Sequence, residues 1–481
     1  MPLRQAFPDR RARDLGNSTD SRSPIFGQTS DAIYCSRNRG GFMNAIGDVE
    51  RRTCSGQVEK PDTDGRVLPE LIRDPQLSDR LRFGPKAVPT AVPLADFGYD
   101  SMRPGGKPAL GNFQVLTVLV TYDGHPPLSR SASWYSTLVG RLGGTPPFTP
   151  DNPGSLLEYF AENSQHRFRP LRWKVVGPIR LAAPSAADLG DASGRGHRIV
   201  TEAVRQNALN LDELDLDADG DVGPDELLVI TVENIPNFGP VNRAVNEITT
   251  ATGRKVRLLC AFLGEGNSFT LFAHEVAHSL GALDLYGWPQ GKSAQLTMMS
   301  TSVGGTQANQ VACHLDPWHK LVLGWSEPRV FTDASRGHVV LPGVNKPDAP
   351  IIIHRPGRPL EFYLLEFRAN RSDLQIGYES WVPGAGVAIW HVDTTAPGAA
   401  RLQASSDPRY SEYAVMHVGA PNGQHGASTL WGAGAWHGLG WRDSFASCGV
   451  QVMEVSENRA VIKLGDPYPP MSGGGRAPEP R

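Results

Sequence analysis

The sequence predicts an α/β protein in which a twisted sheet carries one functional helix and a β-rich C-terminal region follows. Two patterns lead there. Up to Trp325, β-branched apolar runs alternate with helix-like segments; beyond it, short strand-like runs separated by Gly, Pro and Asn take over. Gly (52) and Pro (40) are frequent among 481 residues, which suits a loop-rich, strand-containing chain rather than a helical bundle.

Residues 1–110 show no period of 2.0 or 3.6, apart from a helix-like piece at Leu68–Leu81, and are expected to be a pro-segment or a partly disordered region. Order begins at Gln114–Thr121, an apolar β-branched run closed by the turn Asp123-Gly124. Ser155–Ser164 reads as a short helix with Ser155 as N-cap, and Arg172–Leu181 as a strand. A helix over Arg198–Leu209 leads into an acidic loop and the strand Glu226–Asn234. Phe269–Leu280 reads as a helix capped by Ser268 or Asn267 and stopped at Gly281. Asp316-Pro317 starts another, carrying Trp318, Leu321 and Val322. Residues 111–330 are thus assigned to one domain, 331–466 to a β-rich domain, and 467–481 to a flexible tail.

Composition excludes several classes. Basic (47) and acidic (50) residues nearly balance, so no charge excess drives binding to nucleic acid or acidic membranes. No apolar run approaches the roughly 18 residues of a membrane span. Five cysteines are too few for a disulfide scaffold. The start carries charge without an apolar core, so no secretory signal is visible. A monomer is expected.

The most informative stretch is HEVAHSLGALDLYG, His274–Gly287. His274 and His278 lie four apart on the expected helix, so both imidazoles share a face and one zinc ion. Glu275 follows the first histidine, placed to act on a water at the metal as general base. Gly281 permits a turn that returns Asp284 as the third zinc ligand, although an aspartate there could instead orient His278. Downstream, Met299 and Ser300 suit a methionine turn beneath such a site.

These residues, with TMMS and HLDPWHKLVLGW (His314–Trp325), resemble the immune inhibitor A family of secreted bacterial metallopeptidases, within the metzincin group. The segment SLLEYFAENSQHRFRPLRWKVVGPIRL and the pair EFYLLEFR and PGAGVAIWHVD are similar to that family as well, so the likeness spans roughly Gln114 to Asp393. Where the family commonly has Pro before Asp-Leu-Tyr, this chain has Ala282-Leu283. The resemblance implies a metzincin-like zinc endopeptidase acting on protein or peptide substrates, made as a zymogen and secreted. The competing reading is a non-catalytic, calcium-stabilised surface or binding protein on the same scaffold.

A second cation site is expected in DLDADGDVGPDE. Asp215, Asp217, Asp219, Asp221 and Glu226 occupy positions 1, 3, 5, 7 and 12 of a calcium loop, with Gly220 at position 6. Its role would be structural. Weaker signals are weighed against plainer ones. Cys35 or Cys54 could cap the zinc, with idle thiols or a disulfide as the plainer reading; Cys260 and Cys313 could pair. Tyr286 could stabilise an oxyanion, His391 and Asp393 could be ligands, and Leu430–Trp441 could form a carbohydrate platform. Structural packing is the preferred reading for all three.

Overall fold

Four parallel strands with both faces covered organise the first half of the structure, a computed structural model. It describes residues 114–467 except 141–153, 169, 171, 225, 236–240, 283–284, 286–295, 300–312, 327, 344–349, 356–360, 371–377, 380–381, 394–414, 421–423, 426–428 and 442–443. The expectations for residues 1–110, Cys35, Cys54, Asp284, Tyr286, Ser300 and the tail therefore lie outside the described residues.

Strand β1 (Gln114–Tyr122) leads to helices α1 (Ala132–Gly140) and α2 (Leu156–Asn163), then β2 (Arg172–Leu181), α3 (Ala186–Gly190) and α4 (Ala192–Arg205). Next come β3 (Asp221–Val222), β4 (Leu227–Glu233), β5 (Val241–Ala244), β6 (Ile248–Thr249), β7 (Lys255–Val256) and β8 (Leu259–Gly264), then α5 (Phe269–Leu280) and α6 (Pro317–Val322). The main sheet has the order β2-β1-β4-β8-β5, parallel except for the antiparallel edge strand β5. β4 is buried along its whole length: Leu228, Ile230 and Val232 face one core, Leu227 and Val229 the other. That continuous apolar run is what a parallel strand covered on both faces requires.

From Arg329 onward the described elements are all strands: β9 (Arg329–Thr332), β10 (Gly337–Pro342), β11 (Ile351–His354), β12 (Glu361–Ala369), β13 (Ala385–Asp393), β14 (Val415–Gly419), β15 (Gln424–His425), β16 (Trp436–Trp441), β17 (Ser444–Val455) and β18 (Arg459–Gly465). They form one six-stranded sheet, β15-β14-β13-β12-β11-β9, and one four-stranded sheet, β10-β18-β17-β16. The protein is mixed α/β and sheet-rich. Among the described residues, no helix is long and apolar enough to cross a membrane.

The strand region is tied to the first half by buried charge. Arg368 on β12 donates through Nε and Nη2 to both oxygens of Glu379, 2.8 Å each, and through Nη1 to Glu366 and the Leu296 carbonyl, 2.9 Å each. Glu379 accepts the His314 amide at 2.7 Å, and His314 in turn reaches Glu162 of α2 at 2.7 Å. Tyr378 stacks on Phe269, the first residue of α5, and its hydroxyl meets the Ser155 backbone.

One expected boundary changes. α4 starts at Ala192 rather than Arg198, because Asp191 caps it through the Gly194 amide, and it ends at Arg205 because Asn207 turns left-handed at φ 54°. Cys260 and Cys313 are free buried thiols in separate cores, and burial pushes both well up, so neither is a reactive thiolate. His391 meets Glu361 at 3.1 Å and stacks on Tyr363. Trp431 and Trp441 are buried in the core of the strand region and offer no platform.

Candidate metal centre

Helix α5 is set by its ends. The Ser268 hydroxyl accepts the Leu271 amide at the start. At the other end Gly281 takes φ 105°, which a side chain would resist, and the chain folds back. The Gly281 amide bonds the His278 carbonyl and the Ala282 amide bonds the Ala277 carbonyl, the two bonds of a Schellman cap. This brings the Ala282 carbonyl to His278 Nδ1, 2.9 Å away.

His274 is held in the same manner from a different element. Its Nδ1 lies 2.9 Å from the carbonyl of Met298, in a short turn over 297–299. A carbonyl only accepts, so Nδ1 of each ring donates and the two Nε2 atoms are turned toward each other. These two nitrogens converge at 3.1 Å, with the rings nearly perpendicular at 85°. At that separation the two nitrogens can share a proton or bind one metal ion. A tetrahedral ion holding two imidazoles at about 2.0–2.1 Å keeps them about 3.3 Å apart, so this pair suits zinc. His274, Glu275 and His278 are only 5–6% exposed, so charge placed here interacts in a poorly screened medium. The ligand expected at Asp284 is the next residue but one after Ala282.

Residues that sequence reading passed over surround this pair. Asn242 on edge strand β5 donates to the Glu275 carbonyl at 2.9 Å and to Ser279 Oγ at 2.6 Å, fixing α5 against the sheet. Met298 and Met299 are fully buried against Ala273, Val276, Ala277 and Leu280. The two methionines thus share a core with the helix, and it is the Met298 backbone that holds a histidine. No local signature announces a backbone acceptor 24 residues away.

At the acidic loop the structure gathers three of the five expected residues. Asp215, Asp217 and Asp219 each offer an oxygen within 4.8 Å of the others. The Asp215 side chain is 2% exposed; its Oδ2 accepts from Arg254 at 2.7 Å, while its buried Oδ1 has no hydrogen-bond partner. A buried carboxylate oxygen of that kind suits a hard cation. Asp221 and Glu226 stand outside the group. Asp221 pairs with Arg257 at 3.3 Å, and Glu226 accepts the amides of Leu216, Asp217 and Gly223 at 2.7, 3.2 and 3.0 Å. Burial raises the Glu226 carboxyl despite those three amides. No family model matches the chain, and no curated protein matches it either.

Proposed function

We propose that this protein is a zinc-dependent endopeptidase of the immune inhibitor A-like, metzincin type. The observation that carries the reading is the convergence of His274 and His278 Nε2 at 3.1 Å, both rings fixed through Nδ1 by backbone carbonyls, with Glu275 beside them on α5. Zinc, when bound, supplies a Lewis acid that activates water and polarises a scissile carbonyl. His274, His278 and Asp284 would hold it. Glu275 takes the proton of the attacking water and returns it to the leaving amine. Burial keeps competing water away and strengthens each of these electrostatic contacts. Edge strand β5 packs against α5, so an extended peptide pairing along it would lie beside the histidines. The Asp215–Asp219 cluster is assigned to structural calcium, supported by the unpartnered buried oxygen of Asp215. Secretion belongs to the same proposal and rests on the family resemblance alone; a removable pro-segment rests on that resemblance and on the lack of an apolar period in residues 1–110.

Elemental analysis beside casein hydrolysis, with and without chelator, tests the assignment. Glu275→Ala should keep its zinc and lose turnover. Asp284→Ala should purify largely without zinc and without activity; full zinc there would demote Asp284 to a group orienting a ligand. Substantial hydrolysis by the Glu275 variant would sink the mechanism.

A further inference from the structure

Behind the histidine pair lies a fully buried polar trio that the proposed chemistry does not use. Asp316, Thr297 and His319 are each 0% exposed. Asp316 Oδ2 accepts from Thr297 Oγ1 at 2.7 Å and from His319 Nδ1 at 2.6 Å; Oδ1 accepts the His319 amide at 3.0 Å. Thr297 Oγ1 is also the acceptor for the Met299 amide at 3.2 Å. The Thr297 hydroxyl therefore closes the 297–299 turn on one side and anchors it to α6 on the other.

Both carbonyls that follow in this turn face the metal centre's supports. Met298 O holds His274 Nδ1 at 2.9 Å. Met299 O accepts the amide of Leu285 at 2.7 Å, and Leu285 directly follows Asp284 in the chain. From the far side, the Met298 amide donates to the His314 carbonyl at 3.2 Å. His278 is held independently, by the cap of its own helix. One short turn thus holds both His274 and the Leu285 amide, and the Asp316 carboxylate accepts the Thr297 hydroxyl of that turn.

We infer that Thr297 and Asp316 are positioning residues for the metal centre, acting through the Met298 carbonyl on His274. This rests on the zinc reading. Burial opposes the Asp316 charge, but His319 beside it and the hydrogen bonds from His319 and Thr297 hold its carboxyl below the usual range, so it remains a constant acceptor. Partners that orient metal ligands in this way typically change metal affinity about 10–100-fold when removed.

The sharpest variant is Thr297→Val, which keeps shape and removes the hydroxyl; Thr297→Ser restores it. Zinc affinity by competition with a chromophoric chelator, and the visible spectrum of the cobalt-loaded full-length protein, are measured with melting temperature of the metal-free forms. Thr297→Val should weaken zinc by about 10–100-fold and alter the cobalt bands, with Thr297→Ser close to wild type. Asp316→Asn, which retains a good helix cap, should behave like Thr297→Val. Should the valine variant match wild type in affinity and spectrum, the positioning role is wrong. An equal loss in the valine and serine variants overturns it too, since the hydroxyl would then not be the cause. If wild type itself takes up no zinc, or if His274→Ala leaves uptake unchanged, it is the zinc reading that fails.

Discussion

Two histidines whose Nδ1 atoms donate to backbone carbonyls have their Nε2 atoms turned toward each other. At this scale the sequence was most informative where chemistry is carried by side chains at fixed spacing: His274, Glu275 and His278 could be named from the motif alone. It was silent where the partner is a main-chain atom. Met298 O and Ala282 O have no residue signature, and Asn242 reaches α5 from a strand over thirty residues away. The acidic loop shows the same division. Asp215, Asp217 and Asp219 meet as their spacing suggests, whereas Asp221 and Glu226 are claimed by Arg257 and by three backbone amides. Calcium at this loop should raise the melting temperature, by about 2.7 kcal/mol of stability at a hundredfold excess over its dissociation constant. Asp217→Ala should lose most of that shift in differential scanning calorimetry. Identical transitions for wild type in calcium and in a calcium-selective chelator would remove the site.

Elements followed the sequence where caps and apolar period agreed, and departed where packing alone decided. The strands β1, β2 and β4, and the helices α2, α5 and α6, fall where turn residues and N-caps place them. α1 also has a cap, the Ser131 hydroxyl accepting the Trp134 amide at 3.2 Å, but its Ser, Trp, Tyr and Thr are indifferent helix formers and it is held because Tyr135, Leu138 and Val139 bury one face. α4 carries Gly196 mid-helix for a tertiary reason, since a Cβ there would lie 2.7 Å from Val245 and 2.9 Å from Phe262. The end of α5 is the element on which the centre depends most. Gly281→Ala forces a side chain into the left-handed region at about 1–2 kcal/mol and should displace the carbonyl that holds His278. Melting temperature and zinc affinity should fall together, with Gly281→Asn falling less because asparagine tolerates that conformation. Equal behaviour of the alanine and asparagine variants would separate the turn's conformation from metal binding.

Across the whole molecule, the change of period after Trp325 marks where helices give way to strands. It gives no hint of the charges linking the two parts, because their partners lie far apart in the chain. Arg368, Glu366 and Glu379 are each 0–1% exposed, and the arginine contacts both carboxylates. Arg368→Met should cost about 3–5 kcal/mol, the usual result of leaving a buried charge without its partner. The two glutamates act oppositely on acidification. Burial works against the Glu379 charge, yet Arg368, His314 and Lys320 hold its carboxyl below the ordinary value. Its stabilisation is therefore present above the unfolded value near 4.3, and is lost as pH falls through the lower folded value. Burial leaves Glu366 raised, so its protonation favours the folded state from a higher pH downward. Urea midpoints across the acid range should show Glu366→Gln flattening the gain and Arg368→Met abolishing the loss assigned to Glu379. Curves parallel to wild type would mean these groups do not govern the acid response.

Tyr378 and Glu379 also bear on the order in which the protein is made. Both belong to the surroundings of α5 and of the 313–316 segment, yet both leave the ribosome long after the histidines do. At about 5–20 residues per second, an intervening stretch of roughly one hundred residues takes about 5–20 s to synthesise. During that interval Phe269 lacks the tyrosine that stacks on it, and His314 lacks the carboxylate that accepts its amide. A chain arrested before residue 378 should therefore be digested readily by an added protease around Phe269, and one arrested past the β18 strand should resist.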